Sequence, residues 1–343
     1  MFDEVERLPG APQLHRWTDW AELLAYTSAV GAISMPELAE TTERRTDFID
    51  TESEDDQDES ELESEPLIEE SQGEPAKYQD ALARRAGDVL SYLQDRATRY
   101  GPAYPFEVDL NARTVSLRSA TNSRRFYLFL LACACLRYVE KPADRTKLAA
   151  QFELAGIEVL KRILPTSAEV HLFGANSLTT GKYSGLLFEK VKALAADLGE
   201  RVLATNTDFE RGDRGDNGLD LIAWVPLHDE LPGRLTVFGQ AACTPAWVSK
   251  QHSSHSSSWS SVMTLTADPV NMVFIPYDYR RPGAEWYTSR HIHKSTVIDR
   301  YRIVKLLSAG TDPADPIELE PDLLGALDLN AFDTFRQQEA SDL

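Results

Sequence analysis

The sequence predicts an α/β protein in which a mixed sheet is flanked by helices and preceded by a mostly helical N-terminal region. Three observations carry this expectation. Residues 123–164 hold two strong helical patterns, and residues 182–307 run helix, strand, hairpin, crossover, strand, helix, the plan of a mixed sheet. The chain of 343 residues, 42% hydrophobic and 26% charged, is also long enough to bury one large core or two ordinary ones.

The elements follow in order. Leu14 to Met35, with Trp17 and Trp20, is apolar enough to pack, so residues 1–50 read as a small attached element. Residues 51–75 are a run of acids with few apolar side chains, which reads as a disordered linker or loop. From Tyr78 to Arg99 the apolar residues Leu82, Ala86, Val89 and Leu93 keep helical spacing, and Pro102 stops the pattern. Two short alternating strands, Phe106–Leu110 and Thr114–Leu117, are joined by a turn. Helices over Ser123–Val139 and Asp144–Leu164 come next, the first apolar nearly all round with Cys133 and Cys135 as core residues. A helix from Lys182 to Leu198 leads to strands at Arg201–Thr205, Leu219–Pro226, Arg234–Ala241 and Val270–Ile275, and Ser295–Leu307 reads as a helix. The implied organisation is 1–50, the acidic 51–75, a helical 76–165, an α/β domain at 166–310 and an acidic tail at 311–343.

Three cysteines without zinc-finger spacing cannot make a secreted disulfide framework. The N-terminus Met1-Phe2-Asp3-Glu4 lacks a basic region, and no apolar stretch approaches the roughly 18 residues that span a bilayer. The expectation is a cytoplasmic protein with no membrane partner. The net charge of −20 divides unevenly: residues 1–50 carry −6, 51–75 carry −12 and 311–343 carry −8, whereas 76–310 carry +6. The acidity belongs to the ends, and the middle can present a basic surface.

Within that middle, three blocks stand in order: Phe188-Glu189 on a helix, Gly215-Asp216-Asn217-Gly218-Leu219-Asp220 leading into a strand, and Gln240-Ala241-Ala242 closing the next strand. A hairpin sets Asp220 beside Gln240, and with the Ala241 carbonyl they offer oxygens to a Mg²⁺ ion that keeps waters for a phosphate. Lys250-Gln251-His252-Ser253-Ser254-His255 is a hydroxyl-rich, partly basic loop that suits phosphate contacts or serves as an ordinary helix-capping surface loop. Arg280, Arg281, Arg290 and Lys294, interleaved with aromatic residues, could track a DNA backbone or form a solvated basic face.

This arrangement resembles the PD-(D/E)xK nuclease superfamily, most closely its Mrr-type restriction endonuclease branch, over residues 182–245. The resemblance implies a restriction-endonuclease-like sheet and hydrolysis of DNA phosphodiesters with Mg²⁺ or Mn²⁺ in a bacterial restriction or anti-phage system. It assigns Asp220 as the main metal ligand, Gln240 as the second, and Glu189 as the supporting helix carboxylate. The family's lysine position is Ala242, and Lys250 is the side chain that could bring an ammonium into the gap. The alternative is a nuclease fold of weak or absent activity, kept as a DNA-binding or assembly subunit of a multi-protein defence complex. Restriction nucleases often act as homodimers, which would let both strands be cut.

Overall fold

The computed structural model describes residues 13–45, 75–174, 182–210, 212–213, 215–309 and 318–319, with five positions among the first nine. The acidic run, up to residue 74, and the tail beyond 309, apart from Glu318 and Leu319, lie outside the described residues. The fold is mixed α/β. At its centre is a five-stranded sheet made of β4 (Glu169–Leu172), β5 (Leu221–Trp224), β6 (Thr236–Ala241), β7 (Val270–Phe274) and β8 (Thr296–Ile298), in that spatial order. β5 runs antiparallel to both its neighbours, β4 and β6, and β6, β7 and β8 run parallel.

Strand alternation divides the sheet's side chains between two apolar layers. Leu221, Ala223, Val237, Met272, Phe274 and Ile298 face one layer. There the helix α5 (Pro142–Ile163) crosses the sheet so closely that a Cβ on Gly156 would lie 2.9 Å from Leu221. Ile222, Trp224 and Phe238 face the other layer, against Leu187, Val191 and Leu194 of α6 (Leu187–Leu198) and against Trp259. Both faces are covered, which is why β5 and β6 read as apolar runs in the sequence.

The helical region is α1 (Leu14–Thr27), α2 (Met35–Arg45), α3 (Pro75–Tyr100) and α4 (Asn122–Ala134), with a small sheet of β1 (Ala32–Ser34), β2 (Phe106–Asp109) and β3 (Thr114–Leu117). Its core is continuous with the α5 side of the large sheet, so the expected boundary at 165/166 runs through shared packing rather than between separate cores. Residues 14–27 are likewise no appendage, because α1 buries Trp17, Trp20 and Leu23 at the centre of that core.

A buried ion network locks these parts together. Arg96 of α3 reaches Asp19 at 2.7 Å and Glu22 at 3.0 Å on α1, and Asp278 just after β7 at 3.0 Å. Arg99 grips the same Asp278 with two nitrogens at 3.0 and 2.8 Å. Arg300, which opens α9 (Arg300–Leu307), reaches Asp19 at 3.0 Å, while Tyr104 and Tyr127 donate to Glu22 at 2.7 and 3.0 Å. Burial pushes the Asp278 carboxyl up, but Arg96 and Arg99 outweigh it and hold the group below the usual aspartate value.

Several expected elements differ. Arg201–Thr205 makes only a single bridge, Val202 with Met263, because the chain there follows the 262–264 segment and joins no sheet. The helix from Ser123 stops at Ala134, and residues 136–138 form a short 3-10 turn. The segment from Ser295 to Leu307 is two elements. Asp299 caps α9 by accepting from the Arg302 N–H at 3.1 Å, and the β-branched Thr296-Val297-Ile298 before it pairs with β7.

Candidate active site

β5 and β6 build the site. Their register places Leu221 opposite Gly239, which sets Asp220 across from Gln240 at the end of the pair. Asp220 Oδ2 accepts from Gln240 Nε2 at 2.6 Å and from the Ala241 N–H at 2.7 Å. The Asp220 carbonyl accepts from the Phe173 and Gly174 N–H groups at 2.7 and 3.1 Å, so the residue is fixed from β4 as well. Gln240 in this setting orients Asp220. Its amide nitrogen faces the carboxylate and its Oε1 accepts from Ser253 Oγ at 3.0 Å, so it would have to turn its amide to serve as a metal ligand.

Glu189, the helix carboxylate expected beside the metal, is not there. It points outward from the first turn of α6 and pairs with Lys192 at 2.6 Å, as its position off the apolar stripe of that helix requires. The acid that meets Asp220 is Glu153, buried on α5. A Cβ placed on Gly174 would lie 3.2 Å from both Asp220 Oδ1 and Glu153 Oε2. Burial, with the Glu153 charge next, raises the Asp220 carboxyl well above the ordinary aspartate value, while the Ala241 N–H and the Lys250 ammonium pull it back in part. Glu153 lies on the buried stripe with Phe152, Gly156 and Leu160, and an acid inside that stripe was the signal that could have marked it.

The approach loop, residues 215–218, is anchored from α6. Lys190 donates to the Gly215 carbonyl at 2.7 Å and to the Phe173 carbonyl at 3.3 Å. Burial pulls the Lys190 ammonium below its ordinary value, with Asp216 and Asp213 opposing. It too was missed, although it lies on the same stripe as Leu187, Val191 and Leu194. Gly218 has φ +72°, and a Cβ there would come within 2.2 Å of Ser253 Cβ, so glycine lets this loop close onto the segment after β6.

That segment holds α7 (Trp247–Lys250) and α8 (Ser256–Trp259). Lys250 is exposed at the end of α7, and Ser253 ties its carbonyl (2.6 Å) to Gln240. Ala242, by contrast, is buried among Trp247, Val273, Ile275 and Tyr277. Restoring a lysine there puts an ammonium into an apolar cluster. Ala242→Lys is therefore expected to cost about 3 kcal/mol and to confer no activity, read as a lower Tm beside an unchanged plasmid-cleavage assay.

Arg280, expected on a DNA-tracking face, is a core side chain. It pairs with Asp299 at 2.6 and 3.0 Å and stacks on Trp286 and Tyr301, as a buried charge must be partnered. Arg281, Arg290 and Lys294 are exposed, Arg281 bonding the Tyr287 carbonyl at 2.6 Å and lying over its ring.

Among the described residues no group of three or more His, Cys, Asp and Glu side chains is placed to hold a metal ion. The donors present are two buried carboxylates, Asp220 and Glu153, with the peptide of Ala241 beside them. All are hard oxygen ligands, and Mg²⁺ commonly takes one or two carboxylates and completes its shell with water and substrate phosphate, so the residues fit such an ion. No helix among the described residues is long and apolar enough to cross a membrane. No family model, curated protein or solved structure matches the chain.

Proposed function

We propose that this protein is a metal-dependent DNA endonuclease with a restriction-endonuclease-like core, acting in a bacterial restriction or anti-phage setting. The observation that carries the reading is the convergence of Asp220, at the mouth of an antiparallel hairpin, with Glu153 from the helix preceding the sheet. The antiparallel β5–β6 hairpin followed by the parallel β7 supports it, in the order strand, hairpin, crossover, strand that the sequence pattern implies.

Asp220 and Glu153 would hold Mg²⁺ or Mn²⁺, with the Ala241 carbonyl as a further donor. The ion's contribution is to lower the pKa of a bound water and to neutralise charge on a phosphodiester. Gln240 and the Ala241 N–H fix Asp220 Oδ2, while Oδ1 lies on the Gly174 side, where Glu153 Oε2 also lies. Lys190 holds the 215–218 loop in place. Lys250, within electrostatic reach of Asp220, is the cation that would stand near the substrate phosphate in the role left by Ala242.

Supercoiled plasmid incubated with Mg²⁺ or Mn²⁺ tests this. Wild type is expected to nick or cut, Asp220→Ala and Glu153→Gln to lose at least about a hundredfold in rate, and Lys250→Ala to lose more than Lys250→Arg. Cleavage that persists in a clean Asp220→Ala preparation would refute the site. A second reading is a DNA-binding subunit without turnover. The neutral Gln240 and the buried Ala242 favour it, and salt-sensitive DNA binding without cleavage under either metal would establish it.

A further inference from the structure

Two surface segments beside the site share an unusual property in a chain of net charge −20: residues 241–267 and 286–298 contain no aspartate or glutamate. They are stitched into one face by two buried amides. Gln251 donates to the His291 carbonyl at 2.7 Å and accepts from the His293 N–H at 3.0 Å. Asn271 donates to the Gln251 carbonyl at 2.9 Å and to Ser295 Oγ at 2.8 Å. These side chains are 1% and 6% exposed, so the face is constructed from the interior outward. It presents Lys250, His252, Arg290, His293 and Lys294 to solvent, and Ser253 joins it to Gln240.

The His252 and His293 rings meet, with centroids 5.8 Å apart, although no acid in either segment separates them. Burial, then the charges of His293 and His255, lower the His252 value. His255 is turned inward as the cap of α8, its Nδ1 accepting from the Ser257 N–H at 3.2 Å. Two adjacent imidazoles among lysine and arginine repel one another when charged, and an anion laid across them removes that repulsion.

Resting on the nuclease reading, we propose that this face is the track for the phosphate backbone of duplex DNA entering the Asp220 site, with the His252–His293 pair as a proton-dependent phosphate contact. Binding then takes up protons, so affinity rises as pH falls through the histidine range.

The test is the anisotropy of a short fluorescein-labelled duplex titrated with full-length protein in EDTA, so that neither metal nor cleavage enters. Wild type is expected to bind roughly tenfold more tightly at about pH 6 than at about pH 8. His252→Gln/His293→Gln is expected to keep the binding of the higher pH and lose the increase. Arg290→Gln/Lys294→Asn is expected to lose roughly tenfold at both values and to reduce the salt slope by about 2. Asparagine is chosen because Lys294 has φ +52°, which it tolerates. Circular dichroism and Tm matching wild type show that each variant is folded. Wild-type binding that Arg290→Gln/Lys294→Asn leaves unchanged overturns this face while sparing the nuclease reading. A pH-independent wild type overturns the histidine contact. Phosphatidylserine vesicles bound as tightly as DNA, through the same residues, make the face a membrane surface instead. No DNA binding at low salt removes the nuclease reading as well.

Discussion

Arg300→Met is expected to destabilise the protein by about 3–5 kcal/mol, the usual cost of deleting one partner from a buried ion network. The guanidinium is fully buried and donates to Asp19 at 3.0 Å, to the Pro276 carbonyl at 2.7 Å and to Tyr127 Oη at 3.2 Å. Removing it leaves Asp19 and Glu22 facing Arg96 alone. Burial already pushes the Glu22 carboxyl up, with Arg96 and Arg300 opposing, so the loss of Arg300 drives Glu22 toward its neutral form. Chemical denaturation measures the effect. Asp19→Asn/Glu22→Gln/Arg300→Met, which removes charge of both signs, is expected to recover part of the loss, and a single variant with wild-type stability would show that the network contributes nothing.

Asp220→Asn is expected to abolish metal-dependent cleavage and at the same time to stabilise the metal-free protein at neutral pH, by about 0.5–2 kcal/mol. The gain follows from linkage. Burial and Glu153 raise the folded-state value of Asp220 above the ordinary aspartate value of 3.8. Between the two values the folded protein binds more protons than the unfolded chain, so wild-type stability falls as pH rises through that window. Asparagine keeps an oxygen to accept from Gln240 and Ala241 and carries no such slope. Wild type and variant are expected to coincide below the window and to diverge above it, while Mg²⁺ or Mn²⁺ raises the Tm of wild type alone. Thermal melts across pH, with and without metal, read both effects, and parallel pH profiles would count against the strained carboxylate.

The strands that carry the site were legible in the sequence because burial on both faces makes Leu221–Trp224 and Thr236–Ala241 apolar runs, and the polar residues closing them, Asp220 and Gln240, stand out. The hairpin then fixed their adjacency. Glu153 was not legible from motif spacing, since nothing in the local sequence says that α5 crosses Leu221 closely enough to deliver an acid to the end of the sheet. Glu189 was misplaced because the Phe188-Glu189 motif assigned it, whereas its position off the apolar stripe turns it outward, and the polar end that does turn inward on that helix is that of Lys190. β4 escaped notice as a short edge strand: Glu169-Val170-His171-Leu172 alternates polar and apolar residues, but over only four positions that are at most half-buried. Arg280 misled for a different reason: a basic–aromatic cluster looks the same whether its aromatic rings face solvent or, as Trp286 and Tyr301 do, sandwich a guanidinium inside.

The union of α1 with Arg300 also governs when the molecule can exist during synthesis. Asp19 and Arg300 are separated by 281 positions, so the acidic face of α1 waits on the ribosome for nearly the whole described chain before its last cation arrives. Arg96 reaches Asp19 and Glu22 from far earlier in the chain, so α1 can dock before its network is complete. A nascent chain holding Glu153, Asp220 and Gln240 would still lack Arg300, and a premature stop before that residue would release a species whose buried Asp19 and Glu22 have lost one of their two cations, suited to rapid proteolysis.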